Sequence, residues 1–223
     1  MLLTRDEARR LIDRILGASR ADECSVTIGA SDTANNRFAN NSITTTGETG
    51  DLAINISSTR GSRTGTVSTN ETSDAALEAA VRKSEELASY TPPDPEYVEP
   101  VGPQAYSEVA GAYDQATADA GHRQLNEGIG PAIKECAGQG LGAAGYIERE
   151  AAALAIGNKR GNFGYARRTR LEYTVTVRTA DGTGSGWAGA EGTRLAEVDT
   201  AVASRRAIDK ALLSQKPRRL LFN

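Results

Sequence analysis

One pattern occurs twice in these 223 residues, and it restricts the fold more than any other feature. An alternating strand leads to a glycine turn, a glycine-bearing strand and an amphipathic helix. The first occurrence opens at DLAINISSTRGSRTGTVSTN, residues 51–70; the second opens at LEYTVTVRTADGTGSGWAG, residues 171–189. At an offset of 121, Leu52, Ile54 and Ile56 fall on Tyr173, Val175 and Val177, and Gly61 and Gly65 fall on Gly182 and Gly186. The helix that follows keeps the offset: Leu77, Ala80 and Val81 fall on Val198, Ala201 and Val202. Upstream the offset slips to 117, where Asn41 matches Asn158. Period-2 alternation predicts strands and i, i+3, i+4 spacing predicts helices, so the repeat reads as an internal duplication.

The rest of the chain fits that reading. Thr4 and Glu7 form a capping box for a helix with Ala8, Leu11, Ile12, Ile15 and Leu16 on one face, stopped by Gly17. Cys24, Val26 and Ile28 alternate as a first strand. Asn36–Thr46 follows as a second, with a bulge at Asn40-Asn41, and the hairpin supplies two more. Ser73 or Thr72 caps a helix with Leu77, Ala80, Val81, Ser84 and Leu87 inside. Then TPPDPEYVEPVGPQAY, residues 91–106, holds five of the seven prolines. Proline fixes φ and extends the residue before it, so this is a stiff linker. Beyond it come a helix over Ala116–Ala137, kinked or broken near Gly128 and Pro131, and strands over Leu141–Glu150, Ala151–Asn158 and Leu171–Val177. A last helix has Leu195, Val198, Ala201, Val202 and Ile208 inside. The fold class is mixed αβ: two similar αββββα units, with antiparallel-rich sheets and helices on one face. The divisions are residues 1–90, the linker 91–115, residues 116–215 and a tail from 216 to 223.

Composition excludes some functions. A net charge of −3 and a pI near 5.4 argue against a nucleic-acid surface. The basic runs Arg167, Arg168, Arg170 and Lys216, Arg218, Arg219 read as solvated strand edge and chain end. No apolar run reaches the roughly 20 residues of a membrane helix, and the charged N-terminus is no signal peptide, which points to the cytoplasm. There the two thiols, Cys24 and Cys136, stay reduced.

Catalytic motifs are not visible. Gly61 and Gly65 are one residue too close for a phosphate loop and no lysine follows, so both read as hairpin glycines. The single histidine, His122, stands near a helix start without metal-ligand spacing around it. No G-x-S-x-G elbow marks a nucleophile. No catalytic and no metal residue is assigned. Arg37, Asn40, Asn41, Arg60 and Arg63, polar residues beside the second strand and the hairpin, are the candidates for contact with a peptide or partner.

Several segments in order carry a resemblance: LTRDEA opening a helix, ADE before a strand, RFANNSITTTGETGD, GSRTGTVSTNETSDAALEAAVRKSEELA and PPDPEY. Together they resemble the N-terminal part of the TldD/PmbA family, known as modulators of DNA gyrase and as zinc metallopeptidases. The likeness continues through GNFGYARRTRLEYTVTVRTADGTGSGWAG. It implies a zinc site, H-E-x-x-x-H with a distant cysteine, in a C-terminal domain. This sequence has no such motif and stops at KPRRLLFN, about where that domain would begin. The resemblance therefore implies a non-catalytic N-terminal domain without a cofactor of its own. It would serve dimerisation, with itself or a paralogous subunit, and the guidance of extended peptides. A stand-alone assembly module is the alternative, and neither membrane nor nucleic acid is expected as a partner.

Overall fold

The computed structural model describes residues 2–217; Arg218, Arg219 and the remainder of the expected tail lie outside the described residues. The chain begins with α1 (Arg5–Ala18), β1 (Glu23–Ala39), β2 (Ser42–Arg60), β3 (Arg63–Thr69) and α2 (Asp74–Tyr90). After the linker come a short α3 (Gln115–Ala118), α4 (His122–Gly138), β4 (Gly142–Asn158), β5 (Phe163–Arg178), β6 (Ser185–Gly192), a 3₁₀ turn (Leu195–Glu197) and α5 (Thr200–Leu213). The strands form one sheet in the order β3-β2-β1-β4-β5-β6. β2 and β3 pair antiparallel with Arg60 opposite Arg63, and β5 and β6 with Arg178 opposite Ser185. The mixed αβ class holds.

The strand count does not. Each half has three strands rather than four, an αβββα order. The segments expected as separate strands around Cys24–Ile28 and Asn36–Ala39 are one 17-residue strand, β1. Asn40-Asn41 is the hairpin turn and not a bulge, with both residues left-handed at φ 50° and 57°. Asparagine tolerates that conformation and two such residues make a tight hairpin. In the same way β4 joins the two strands expected over 141–158 into one.

Two compact units emerge, each assembled from three stretches of sequence. The first comprises Met1–Asp32, Gly50–Ala110 and Ala152–Arg167; the second comprises Thr33–Thr49, Gly111–Ala151 and Arg168–Asn223. The first core packs Leu11, Ile12 and Ile15 of α1 and Leu77 and Val81 of α2 on Val26, Ile28, Ile54 and Ile56. Ala155 of β4 belongs to it, and Phe163 and Tyr165 of β5 pack at its margin. The second core packs Leu125 and Ile129 of α4 and Ala207 and Ile208 of α5 on Ile147, Leu171, Tyr173 and Val175. Ala34 and Phe38 of β1 complete it, the Phe38 ring stacked on Tyr173 with centroids 6.3 Å apart. Burying one face of each helix and strand is the main favourable contribution to such cores.

The glycines act differently from the sequence reading. Gly61 does lie in the β2–β3 turn, at φ 61°. Gly65 instead lets α2 approach the sheet: a Cβ there would lie 2.2 Å from the Ser84 carbonyl oxygen and 2.4 Å from the Ala88 nitrogen. Gly186 does the same under α5, where a Cβ would lie 2.1 Å from the Ala207 oxygen and 2.6 Å from the Ala211 nitrogen. The two glycines thus match at the expected offset, but the helices match two residues later. Ala80, Val81, Ser84, Glu85 and Ala88 are the buried face of α2, and Ala203, Ser204, Ala207, Ile208 and Ala211 that of α5. Val202, expected inside, is 51% exposed, and Ala201 is only half-buried. The cause is loop length, which shifts register without shifting the pattern. Residues 70–73 join β3 to α2, whereas the longer stretch 193–199, with its 3₁₀ turn, joins β6 to α5.

Candidate functional site

The five candidate residues fall into two groups. Arg60 and Arg63 flank the β2–β3 turn in the first unit. Arg60 lies 3.6 Å from the Glu85 carboxylate, and Arg63 donates to the Thr91 carbonyl at 2.6 Å. Glu85 is buried on α2 and also accepts from Ser19 Oγ, from the Arg20 and Ala21 amides and from Arg82. Burial pushes the Glu85 pKa up, but the Arg20 N–H and the Arg82 guanidinium outweigh it and hold the carboxyl below its usual range. Both arginines therefore anchor the turn and the end of α2.

Arg37, Asn40 and Asn41 lie at the tip of the β1–β2 hairpin, within the second unit. Asn41 is a clamp: its Nδ2 donates to the Leu141 carbonyl at 2.7 Å, and its Oδ1 accepts from the Ala143 amide at 2.8 Å. Arg37 is exposed, with its guanidinium 6.0 Å from the Tyr146 ring centroid. Burial, and then a hydrogen bond to Glu172, push the Tyr146 hydroxyl up to about 12. Arg170 pairs with Glu172 and Glu191, each at 2.6 Å, and Arg168 pairs with Glu150 at 3.0 Å. Those arginines, expected as a solvated basic run, are neutralised in place.

The unusual feature of this tip is the outer half of β2. Ser42–Thr46 and Glu48–Asp51 are exposed, on both faces of the strand. β3 pairs only with Ile54–Arg60, so among the described residues Ser42–Ala53 have no strand on their outer side. Asn40-Asn41 is a two-residue turn, so Ile43 and Thr45 direct their amides outward. The first half of β5 has the matching place in the second hairpin, and there the linker supplies a cover. Thr169 donates its amide to the Ala112 carbonyl at 2.8 Å, and its side-chain Oγ1 accepts from the Asp114 amide at 3.0 Å. Tyr106 lies against Gly164 and bonds to Asn162. An open row of backbone donors and acceptors is a template for an added extended strand.

Beside the open edge stands a polar cluster that the sequence did not signal. Asn36 of β1 is fully buried; its Nδ2 donates to the His122 carbonyl at 3.1 Å and to Asn126 Oδ1 at 2.6 Å. Its Oδ1 meets His122 Nδ1 at 2.5 Å, and His122 Nε2 lies 3.3 Å from Glu48 Oε1. The low hydrophobicity of Asn36 in a buried register position was the only sequence mark. A zinc site does not fit these residues. The one histidine is committed to Asn36 and Glu48, and the two cysteines are buried, one in each core. No helix among the described residues is long and apolar enough to cross a membrane.

Comparison with known proteins agrees with this architecture. Residues 26–88, from β1 to the end of α2, match the family described as PmbA/TldA metallopeptidase domain 1. No curated protein matches the chain. Among solved structures, TldE from Thermococcus kodakarensis aligns with a TM-score of 0.76 at 16% identity, over 92% of this chain and 47% of that one. A Thermotoga maritima protein named for modulation of a DNA gyrase aligns at 0.80 and 14% identity, over 96% of this chain and 50% of its own. A Bacteroides thetaiotaomicron protein named likewise aligns at 0.79 and 13% identity, over 98% and 52%. The chain thus spans about half the length of the solved structures it matches, and at these identities the likeness is one of fold. Residues 26–88 thus match a domain of the TldD/PmbA family, and the six-stranded sheet as a whole has the fold of these solved structures.

Proposed function

We propose that this chain is the non-catalytic part of a TldD/PmbA-type peptidase assembly, where it joins subunits and guides extended peptides. The observation that carries the reading is the exposed outer half of β2, which among the described residues has no strand on its outer side. The linker over β5 shows that such an edge can be met by another segment, there through one backbone bond from Thr169 to Ala112 and one to the Thr169 hydroxyl. The exposed residues there are mostly threonine, serine and glycine, so affinity would come from the main chain and be tolerant of peptide sequence. Zinc chemistry belongs, in this reading, to residues outside this chain, and the assembly works in the cytoplasm. We also read the two αβββα halves as copies of one unit, given the matched glycines and helix faces.

Analytical ultracentrifugation of the purified chain, with and without a fluorescein-labelled unfolded peptide, tests this. Self-association or peptide binding is expected, and Thr45→Pro removes an outward donor and abolishes it. Circular dichroism should show the same fold in the variant. A wild-type chain that stays monomeric and binds no extended peptide overturns the reading.

A further inference from the structure

The linker is tied down on both sides of one bare stretch. Upstream, Asn158 Nδ2 donates to the Val101 carbonyl at 2.9 Å, and Asn162 Nδ2 donates to the Tyr106 hydroxyl at 2.9 Å. Downstream, Ala112 and Asp114 are bonded to Thr169. The upstream ties lie within the first unit and the downstream ties within the second. Residues 103–111 are exposed and belong to no helix or strand, the longest such run among the described residues. Past Tyr106 that run reads Ser107, Glu108, Val109, Ala110 and Gly111, and Val109 is 78% exposed. Exposed segments of small and polar residues are where endopeptidases cut first.

A cut there would not take the fold apart. The residues before it supply β1, β2 and β3, those after it supply β4, β5 and β6, and β1 and β4 are neighbours in the sheet. The first unit needs residues 152–167 from beyond the cut, and the second needs residues 33–49 from before it. In the first unit the Tyr165 hydroxyl donates to the Leu3 carbonyl at 2.9 Å, the Lys159 amide to the Cys24 carbonyl at 3.0 Å, and Arg160 to Glu23 at 2.6 Å. In the second, Asn41 clamps Leu141 and Ala143, and Phe38 stacks on Tyr173. Parting the two pieces would open both cores, the kind of surface that holds obligate complexes together.

From this arrangement we infer that residues 107–110 are a processing site for an endopeptidase of the elastase type, and that cleavage yields a stable two-chain protein. Val109 and Ala110 have the small aliphatic side chains that the S1 pocket of such an enzyme takes. Water adds across the Val109–Ala110 bond: the Val109 carbonyl carbon gains the oxygen and becomes a carboxylate, and the Ala110 nitrogen becomes an ammonium group. Each new end stays close to a tie within its own unit, Tyr106 on one side and Ala112 on the other. The inference is independent of what the β2 edge binds.

Brief digestion of the folded full chain with pancreatic elastase tests this. Mass spectrometry should place the first cut within residues 107–110, at least about tenfold faster than any other, because no element has to open there. Native size-exclusion chromatography should return both pieces in one peak, and guanidinium should separate them. The nicked protein should keep a single thermal transition, with a midpoint that now rises with protein concentration because two chains must meet to refold. Val109→Pro combined with Ala110→Pro, at exposed positions outside the elements, should lose the cut and keep the wild-type transition. A first cut elsewhere, a folded chain that elastase leaves whole, cutting of the double variant at the wild-type rate, or pieces that part without denaturant each overturns the proposal.

Discussion

Gly65 and Gly186 mark where single atoms decide the packing. A methyl group at either would collide with helix backbone, which cannot swing aside as a side chain can. Gly65→Ala and Gly186→Ala are each expected to cost about 1–3 kcal/mol, seen as a Tm lower by about 2–4 °C per kcal/mol. Gly17→Ala is the contrast: it lies inside α1 with open space where a Cβ would go, so it should gain about 0.5–1 kcal/mol of helix propensity. The thiols give a second residue-scale expectation. Burial, and then Glu135, push Cys136 up to about 11, and burial raises Cys24. Both should resist Ellman's reagent at pH 8 in the folded chain and react once it is unfolded in guanidinium. A thiol whose pKa is raised by folding stabilises the fold below its unfolded value, and that contribution fades as pH climbs toward about 11. Rapid labelling of both in the native state would contradict the cores described above. At this scale some features were plain in the sequence and others were not. The Thr4–Glu7 capping box is local, and it forms as read, with the Thr4 amide 2.8 Å from Glu7 Oε2. Arg60 looked like a loose cation because its partner, Glu85, lies on another element.

Among the elements, α5 shows how a correct pattern can be placed in the wrong register. The sequence offers Val198, Ala201 and Val202 as an apolar face continuing the repeat. Asp199 instead caps the helix by accepting from the Val202 amide, and the buried side is made of small residues, Ala203, Ser204, Ala207 and Ala211, with Ile208. Small residues suit a helix pressed onto Gly186, and their weak hydrophobicity hid the face from a reading based on large side chains. Ile208→Ala should therefore cost about 2–5 kcal/mol, whereas Val202→Ala should stay within about 0.5 kcal/mol, both measured by urea unfolding. Equal losses would restore the earlier register. The strands were legible as alternation but not as lengths. Nothing local separates two short strands from one long one when polar residues such as Asn36 sit in buried positions. The cap, the alternation and the linker were local; the bond from Asn36 to His122 joins positions 86 residues apart and could not be read in the same way.

At the level of the whole molecule, the order of residues and the grouping of residues differ. The first core is not closed by the first ninety residues, since Ala155, Phe163 and Tyr165 take part in it, and Arg5 and Arg9 lie over the Phe163 ring. A fragment of residues 1–98 is therefore expected to lack a cooperative thermal transition by circular dichroism, while the full chain shows one. A fragment with a sharp transition and full protection of the Ile54 and Ile56 amides would sink that expectation. The alternating segments of the two units have a further consequence for how a cell makes this protein. A chain leaves the ribosome from its N-terminus, and domains built from contiguous sequence can settle one after another as they emerge. Here the earliest helix waits for Phe163 and Tyr165, and the hairpin tip carrying Phe38 waits for Tyr173. Neither unit can finish before most of the chain has been synthesised, so the nascent β1–β2 hairpin is the stretch that needs shielding longest.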